Sequence, residues 1–171
     1  MEKLVIIING AGGVGKDTIC GILSEFYRVK IISSIDPIRE IARRGGWEVT
    51  DKSKAGRRLL SDLKAAFVRY NNLPTRYLIQ KYQEFLSGAD EILCVHIREP
   101  DEIIKFREEL YTRNITLLIT SNRVQEGSFG NQSDDHVREF QYDYIYHNDK
   151  SKLELRSDFP RFFEDNILPN L

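Results

Sequence analysis

The chain has 171 residues, the length of one domain and short for two. Its 25 Lys and Arg against 26 Asp and Glu leave a formal charge of −1, which excludes a protein that coats duplex nucleic acid or an anionic membrane, because both need a basic excess. Hydrophobic residues at 41% and charged residues at 30% supply a folded core and exclude a disordered chain.

In chain order, residues 4–8 are an apolar run, β-branched at all but Leu4, closed by Asn9-Gly10. That pattern suits a strand buried on both faces of a parallel sheet. The run is far shorter than the roughly 18 apolar residues that span a bilayer, and no longer one follows. A cytoplasmic protein without a membrane segment is expected. Glycine-rich residues 10–15 come next. From 16 to 27, Ile19, Ile22, Leu23 and Phe26 recur at helical spacing. A second strand is predicted over 29–32, then a loop and a short helix with Pro37 in its first turn. Two helices follow. Leu59, Leu60, Leu63, Phe67 and Tyr70 mark the one over 53–71, and Leu78, Tyr82 and Phe85 mark the other. Residues 92–97 form a third strand, 100–110 a helix, and 115–120 a fourth strand. The stretch 121–134 has almost no apolar periodicity and reads as a loop. A fifth strand is predicted over 142–146. A last helical region starts near Ser151, with a break or a second short helix at Pro160. Cys20 and Cys94 lie in apolar stretches and are expected as reduced core residues, not a disulfide framework. Strands alternating with helices predict an α/β fold with a mostly parallel sheet.

Gly10-Ala11-Gly12-Gly13-Val14-Gly15-Lys16 matches G-x-x-x-x-G-K between a predicted strand and a predicted helix. Glycines let the backbone wrap so that successive N–H groups meet phosphate oxygens. The following helix adds its N-terminal dipole, and Lys16 a cation for the β- and γ-phosphates. The pattern departs from the usual one at the next residue. Where Ser or Thr commonly binds Mg²⁺, this chain has Asp17, then Thr18. A carboxylate there can hold Mg²⁺ and would repel a bare phosphate, which favours a metal-loaded nucleotide. It can also simply stabilise the helix dipole. Thr18 is placed to donate to the α-phosphate.

Gly15-Lys16-Asp17-Thr18 resembles a variant P-loop of some small-molecule kinases, and is similar to that of bacteriophage-type deoxynucleoside monophosphate kinases and phosphomevalonate kinases. Asp36-Pro37-Ile38-Arg39-Glu40, the segment from His96 through Arg98, Glu99 and Glu102 to Ile103, and the segment from Tyr142 to Asp149 resemble further stretches of those families in the same order. The resemblance implies a three-layer α/β P-loop kinase fold over residues 1–171. Its sheet would have five parallel strands in the order 2-3-1-4-5, with a helical acceptor-binding insert at 36–86 and a lid at 121–138. Residues 36–70 carry nine Lys and Arg against five Asp and Glu, a local +4 where a phosphorylated acceptor would bind.

The implied cofactors are ATP and Mg²⁺. Gly10, Gly12, Gly13, Val14, Gly15, Lys16, Asp17, Thr18 and Asn148 would hold the nucleotide, with Asp17 and Glu99 as metal candidates. Asp36, Arg39, Arg57, Arg58 and Arg98 would hold the acceptor. Lys16, Arg98, Arg123 and Arg138 would neutralise the transferring phosphoryl group. Arg58 can instead pair with Asp62, Glu99 and Glu102 can serve the helix start, and Asp36 can cap its helix. His96 is expected to be packed in the core. The expected activity is transfer of the γ-phosphoryl of ATP to a small phosphorylated acceptor, foremost a (deoxy)nucleoside monophosphate, with small-molecule nucleotides as partners and no polymeric nucleic acid. A hydroxyl-acceptor kinase of the nucleoside or dephospho-coenzyme A type, with Asp36 as base, and a non-catalytic nucleotide-binding regulatory module are the alternatives.

Overall fold

A computed structural model describes residues 2–51, 53–123 and 140–171. Five strands, β1 (Leu4–Asn9), β2 (Val29–Ser33), β3 (Ile92–His96), β4 (Arg113–Thr120) and β5 (Tyr144–His147), form one parallel sheet in the order β2-β3-β1-β4-β5. This is the order the resemblance implied. The reason β1 lies at the centre is visible in its composition. All six of its residues are buried, and it pairs in register with β3 on one side and β4 on the other. A strand covered on both faces has no solvent side and so reads as one apolar run.

Alternate residues of β1 feed two cores. Leu4, Ile6 and Ile8 pack with Ile19 and Leu23 of α1 (Lys16–Leu23) and with Leu155 and Phe159 of α6 (Lys152–Phe162). Val5 and Ile7 pack with Leu78, Tyr82 and Phe85 of α4 (Leu73–Ser87) and with Ile103 and Phe106 of α5 (Pro100–Glu108). Helices on both faces of a parallel sheet make the three layers. The remaining helices, α2 (Asp36–Arg44) and α3 (Lys54–Asn71), belong to neither core. Both cysteines are buried and free. None of the helices among the described residues is long and apolar enough to cross a membrane.

Three local expectations are corrected. First, α1 stops at Leu23, and Phe26 is 58% exposed. The Ser24 hydroxyl donates back to the Cys20 carbonyl, and the next amides close short turns on Ile22 and Leu23. Second, the apolar residues of α3 do not make a core face. Among its described residues only Gly56 is buried, and Tyr70 is 81% exposed. The helix packs on α2 and α4, outside both sheet layers. Third, Pro160 does not break α6, which runs through it to Phe162 and then widens into a π turn over Phe163–Ile167. Leu155, Phe159, Phe163 and Ile167 follow one another at four-residue spacing and are all buried, so packing holds the helix through the lost N–H donor. The expected lid lies outside the described residues over 124–138, and Arg138 with it.

Candidate active site

The glycine-rich loop joins β1 to α1 at the carboxyl edge of the sheet, where open α/β folds bind ligands. Its backbone requires glycine. Gly10 has φ 144°, and a Cβ there would stand 2.4 Å from the Ile119 carbonyl oxygen of β4. Gly15 has φ 98°, and a Cβ there would stand 2.5 Å from Asn148 Nδ2. Gly15 is also the N-cap of α1 and supplies no side-chain cap to the first amides of the helix. The Lys16 ammonium folds back over the loop and donates to the carbonyls of Gly10 at 2.6 Å and Ala11 at 2.8 Å.

Two buried asparagines brace this loop from below. Asn9 accepts the Gly10 amide at 2.7 Å, and its amide donates to the Arg98 carbonyl at 2.9 Å and the Tyr142 hydroxyl at 2.8 Å. Asn148 donates to the Val14 carbonyl at 2.7 Å. Its side chain is therefore directed at the loop backbone. Val14 itself is buried. Arg123 donates to the Asn148 carbonyl at 2.9 Å, which holds this arginine at the base of the expected lid. Gly12 opens toward Arg98: a Cβ on it would lie 3.9 Å from Arg98 Nη2. Gly13 has φ 86°, also in the region that favours glycine. The loop and the Arg98 guanidinium thus face one another.

Asp17 sits in the first turn of α1 with its side chain 97% exposed, 3.6 Å from His96 Nδ1. Thr18 is half-buried beside it. His96 is not simply packed in the core. It bridges Asp17 to the Cys20 thiol, which lies 3.4 Å from Nε2. Hydrogen bonding with the Cys94 thiol, helped by His96, brings the Cys20 pKa down to about 6 against the opposing effect of burial.

On the acceptor side, Asp36 accepts the Ser33 amide at 2.8 Å and lies 3.5 Å from Arg39. Arg58 stands 3.7 Å from Asp62 on the exposed surface of α3, and Arg57 is exposed on the same helix. Glu99 and Glu102 both turn to Lys64, whose ammonium donates to Glu99 Oε2 at 2.6 Å, Glu102 Oε2 at 2.8 Å and Ser34 Oγ at 3.2 Å. Burial pushes the Glu102 carboxyl up to about 7, although Lys64 pulls it down. Burial acts the same way on Glu99, but there Lys64 prevails and the pKa falls below the usual carboxylate value. Burial opposes the Lys64 charge, yet the two carboxylates outweigh it and hold its pKa above that of an ordinary lysine. Among the described residues no group of three or more His, Cys, Asp or Glu side chains could hold a metal ion.

Two residues of this site were not singled out from the sequence. Asn9 carried a signal, as the one amide ending an otherwise apolar strand. Lys64 carried a weaker one, seven residues after Arg57 and so on the same helical face.

No family model matches the chain, and no curated protein matches it. Solved structures do share its fold. The protein TT1252 from Thermus thermophilus superposes with a TM-score of 0.56 at 18% identity, over 100% of both chains. Thymidylate kinase from Candida albicans gives 0.54 at 15% identity, over 96% of this chain and 92% of that one. Shikimate kinase from Aquifex aeolicus gives 0.52 at 13% identity, over 95% and 97%. With these likenesses, its strand order and its glycine loop, the chain has the three-layer fold of the P-loop kinases.

Proposed function

We propose that this protein is an ATP-dependent phosphotransferase that moves the γ-phosphoryl group to a small phosphorylated acceptor, foremost a (deoxy)nucleoside monophosphate. The observation that carries this reading is the placement of Arg98 against the glycine-rich loop at Gly12. A guanidinium there can meet an anionic acceptor across from the triphosphate. The neighbouring folds include kinases of both acceptor kinds, thymidylate kinase and shikimate kinase. The hydroxyl-acceptor alternative needs Asp36 as a base, but that carboxylate already holds the Ser33 amide and faces Arg39.

Phosphoryl transfer depends mostly on positioning and charge neutralisation. The loop amides and the start of α1 bind the phosphates. Lys16 exchanges its carbonyl partners for the β- and γ-oxygens. Arg98 orients the acceptor anion, and Arg123, held on the Asn148 carbonyl, adds a second guanidinium at the nucleotide end. Asp17 is an exposed hard-oxygen donor at the loop edge and fits a Mg²⁺ carried by the nucleotide; Glu99 is committed to Lys64 and fits less well. Bound Mg²⁺ would supply charge neutralisation to the transferring group.

The test is ADP release from ATP·Mg²⁺ with a panel of nucleoside and deoxynucleoside monophosphates, nucleosides and dephospho-coenzyme A. Turnover that depends on a monophosphate is expected, and Lys16→Ala should lower it by roughly 10²–10³-fold. ATP binding without turnover on any acceptor would leave the regulatory-module reading in its place.

A further inference from the structure

Lys64 presents three N–H donors and meets three acceptors on two segments. Ser34 comes from the end of β2, Glu99 from the β3–α5 junction, and Glu102 from the first turn of α5. Only 13% of its side chain is exposed. Little else fixes α3 deeply, since Gly56 is the one buried residue among those described in the helix. Leu60, Leu63 and Phe67 are only half-buried, so this charged contact adds to a shallow apolar footing on α2 and α4.

The contact has a consequence for the two arginines. Arg57 lies seven residues before Lys64, about two turns or 10 Å along α3 and on the same face. Glu99 directly follows Arg98. The Lys64–Glu99 contact therefore ties the element that bears Arg57 to the element that bears Arg98. We propose that Lys64 is a positioning residue, which locks the insert helix against the end of β3 so that Arg57 and Arg98 form one clamp for the phosphate of an anionic acceptor. This rests on the phosphotransferase reading and deepens it, because it gives the insert a specific ligand class.

Lys64 does not touch the acceptor in this arrangement. Its ammonium is saturated by its three partners. Its loss acts through the arginines. Displacing a group by an ångström can cost on the order of 10²-fold in a positioned reaction. The loss should fall on the acceptor and not on ATP, whose phosphates are held by the separate loop at residues 10–18.

The experiment is steady-state kinetics on the best monophosphate of the panel. Lys64→Met should raise the acceptor KM about tenfold or more and leave the ATP KM unchanged, and Lys64→Arg should recover most of the loss. A cycle with Arg57→Ala separates positioning from general destabilisation. Once Arg57 is gone, Lys64→Met should add no more than about twofold. Losses that multiply, or an equal rise in the ATP KM, would overturn the proposal. If Lys64→Met does not fold, Lys64→Met/Glu102→Gln removes the more deeply buried of the two carboxylates left behind and takes its place in the cycle. If the wild type phosphorylates no acceptor, the phosphotransferase reading fails, and amide hydrogen exchange then tests the lock itself. Lys64→Met should speed exchange together over residues 54–60 and 98–103, and Lys64→Arg should not. A change confined to the turn around residue 64 would sink it.

Discussion

At the scale of single residues, Glu102 shows how burial shapes this site. The residue is 7% exposed, and one carboxyl oxygen has no hydrogen-bond partner among the described residues. Burial raises its pKa to about 7 from the usual 4.5. The folded protein therefore keeps the Glu102 proton between pH 4.5 and 7, while the unfolded chain has lost it. The stability from this group is full below pH 4.5 and is lost as the pH rises through 7. Glu99 is shifted the other way, so its own effect falls below pH 4.5, and that of Lys64 falls above 10.5. Urea unfolding of wild type and Glu102→Gln across this range isolates the effect. The stability of wild type relative to the variant should fall from pH 4.5 to 7 and then stay level; a constant difference would refute the assignment. The same residue marks the limit of what the sequence discloses. The glycine-rich loop was legible because its pattern is local: seven consecutive residues carry both the turn and the cation. The Lys64 cluster was not, because its members are 30 to 38 residues apart from Lys64 and meet only through the fold.

At the scale of elements, α3 and α6 start alike and are held differently. Ser53 accepts the Gly56 amide at the start of α3, and Ser151 forms a reciprocal capping box with Glu154 at the start of α6. Periodicity located both helices, but it did not distinguish their burial. An apolar face on α3 looks like one on α6, although α6 fills the core with Leu155 and Phe159 and α3 buries only Gly56. Removing a serine N-cap costs on the order of 1 kcal/mol of helix stability. Where the helix is part of the core, the whole domain should lose that amount. Ser151→Ala should therefore lower the global unfolding free energy by about 1 kcal/mol in a denaturant titration. Ser53→Ala should leave the global value nearly unchanged and instead raise amide exchange in the first turns of α3. Equal global losses would mean that the insert unfolds with the core and is not a separately held element. Pro160 illustrates the converse limit: the local rule anticipates a break, and four buried apolar side chains at helical spacing prevail over it.

For the whole molecule, the sheet order brings the separate pieces to one edge. β1 is central, so the phosphate loop after it lies between the end of β3, which carries Arg98, and the ends of β4 and β5, which lead to Arg123 and Asn148. The alternation of strands and helices made the α/β class legible, and the resemblance supplied the order in which the strands pair. The net charge of −1 conceals the +4 over residues 36–70. A site built across the center of the sheet should couple ligand binding to the stability of the entire domain. Saturation at about 100 times Kd adds about 2.7 kcal/mol to the folded state. For a domain of this size each kcal/mol raises Tm by roughly 2–4 °C. ATP·Mg²⁺ at that level should thus raise Tm by roughly 5–10 °C. Lys16→Ala should abolish most of the rise, because the loop would lose its cation while keeping its backbone. A nucleoside monophosphate alone should give a separate rise that survives Lys16→Ala but falls in Arg98→Ala. If Lys16→Ala removed both rises together, ATP and the monophosphate would be sharing the loop, and the division of the edge into nucleotide and acceptor halves would be wrong.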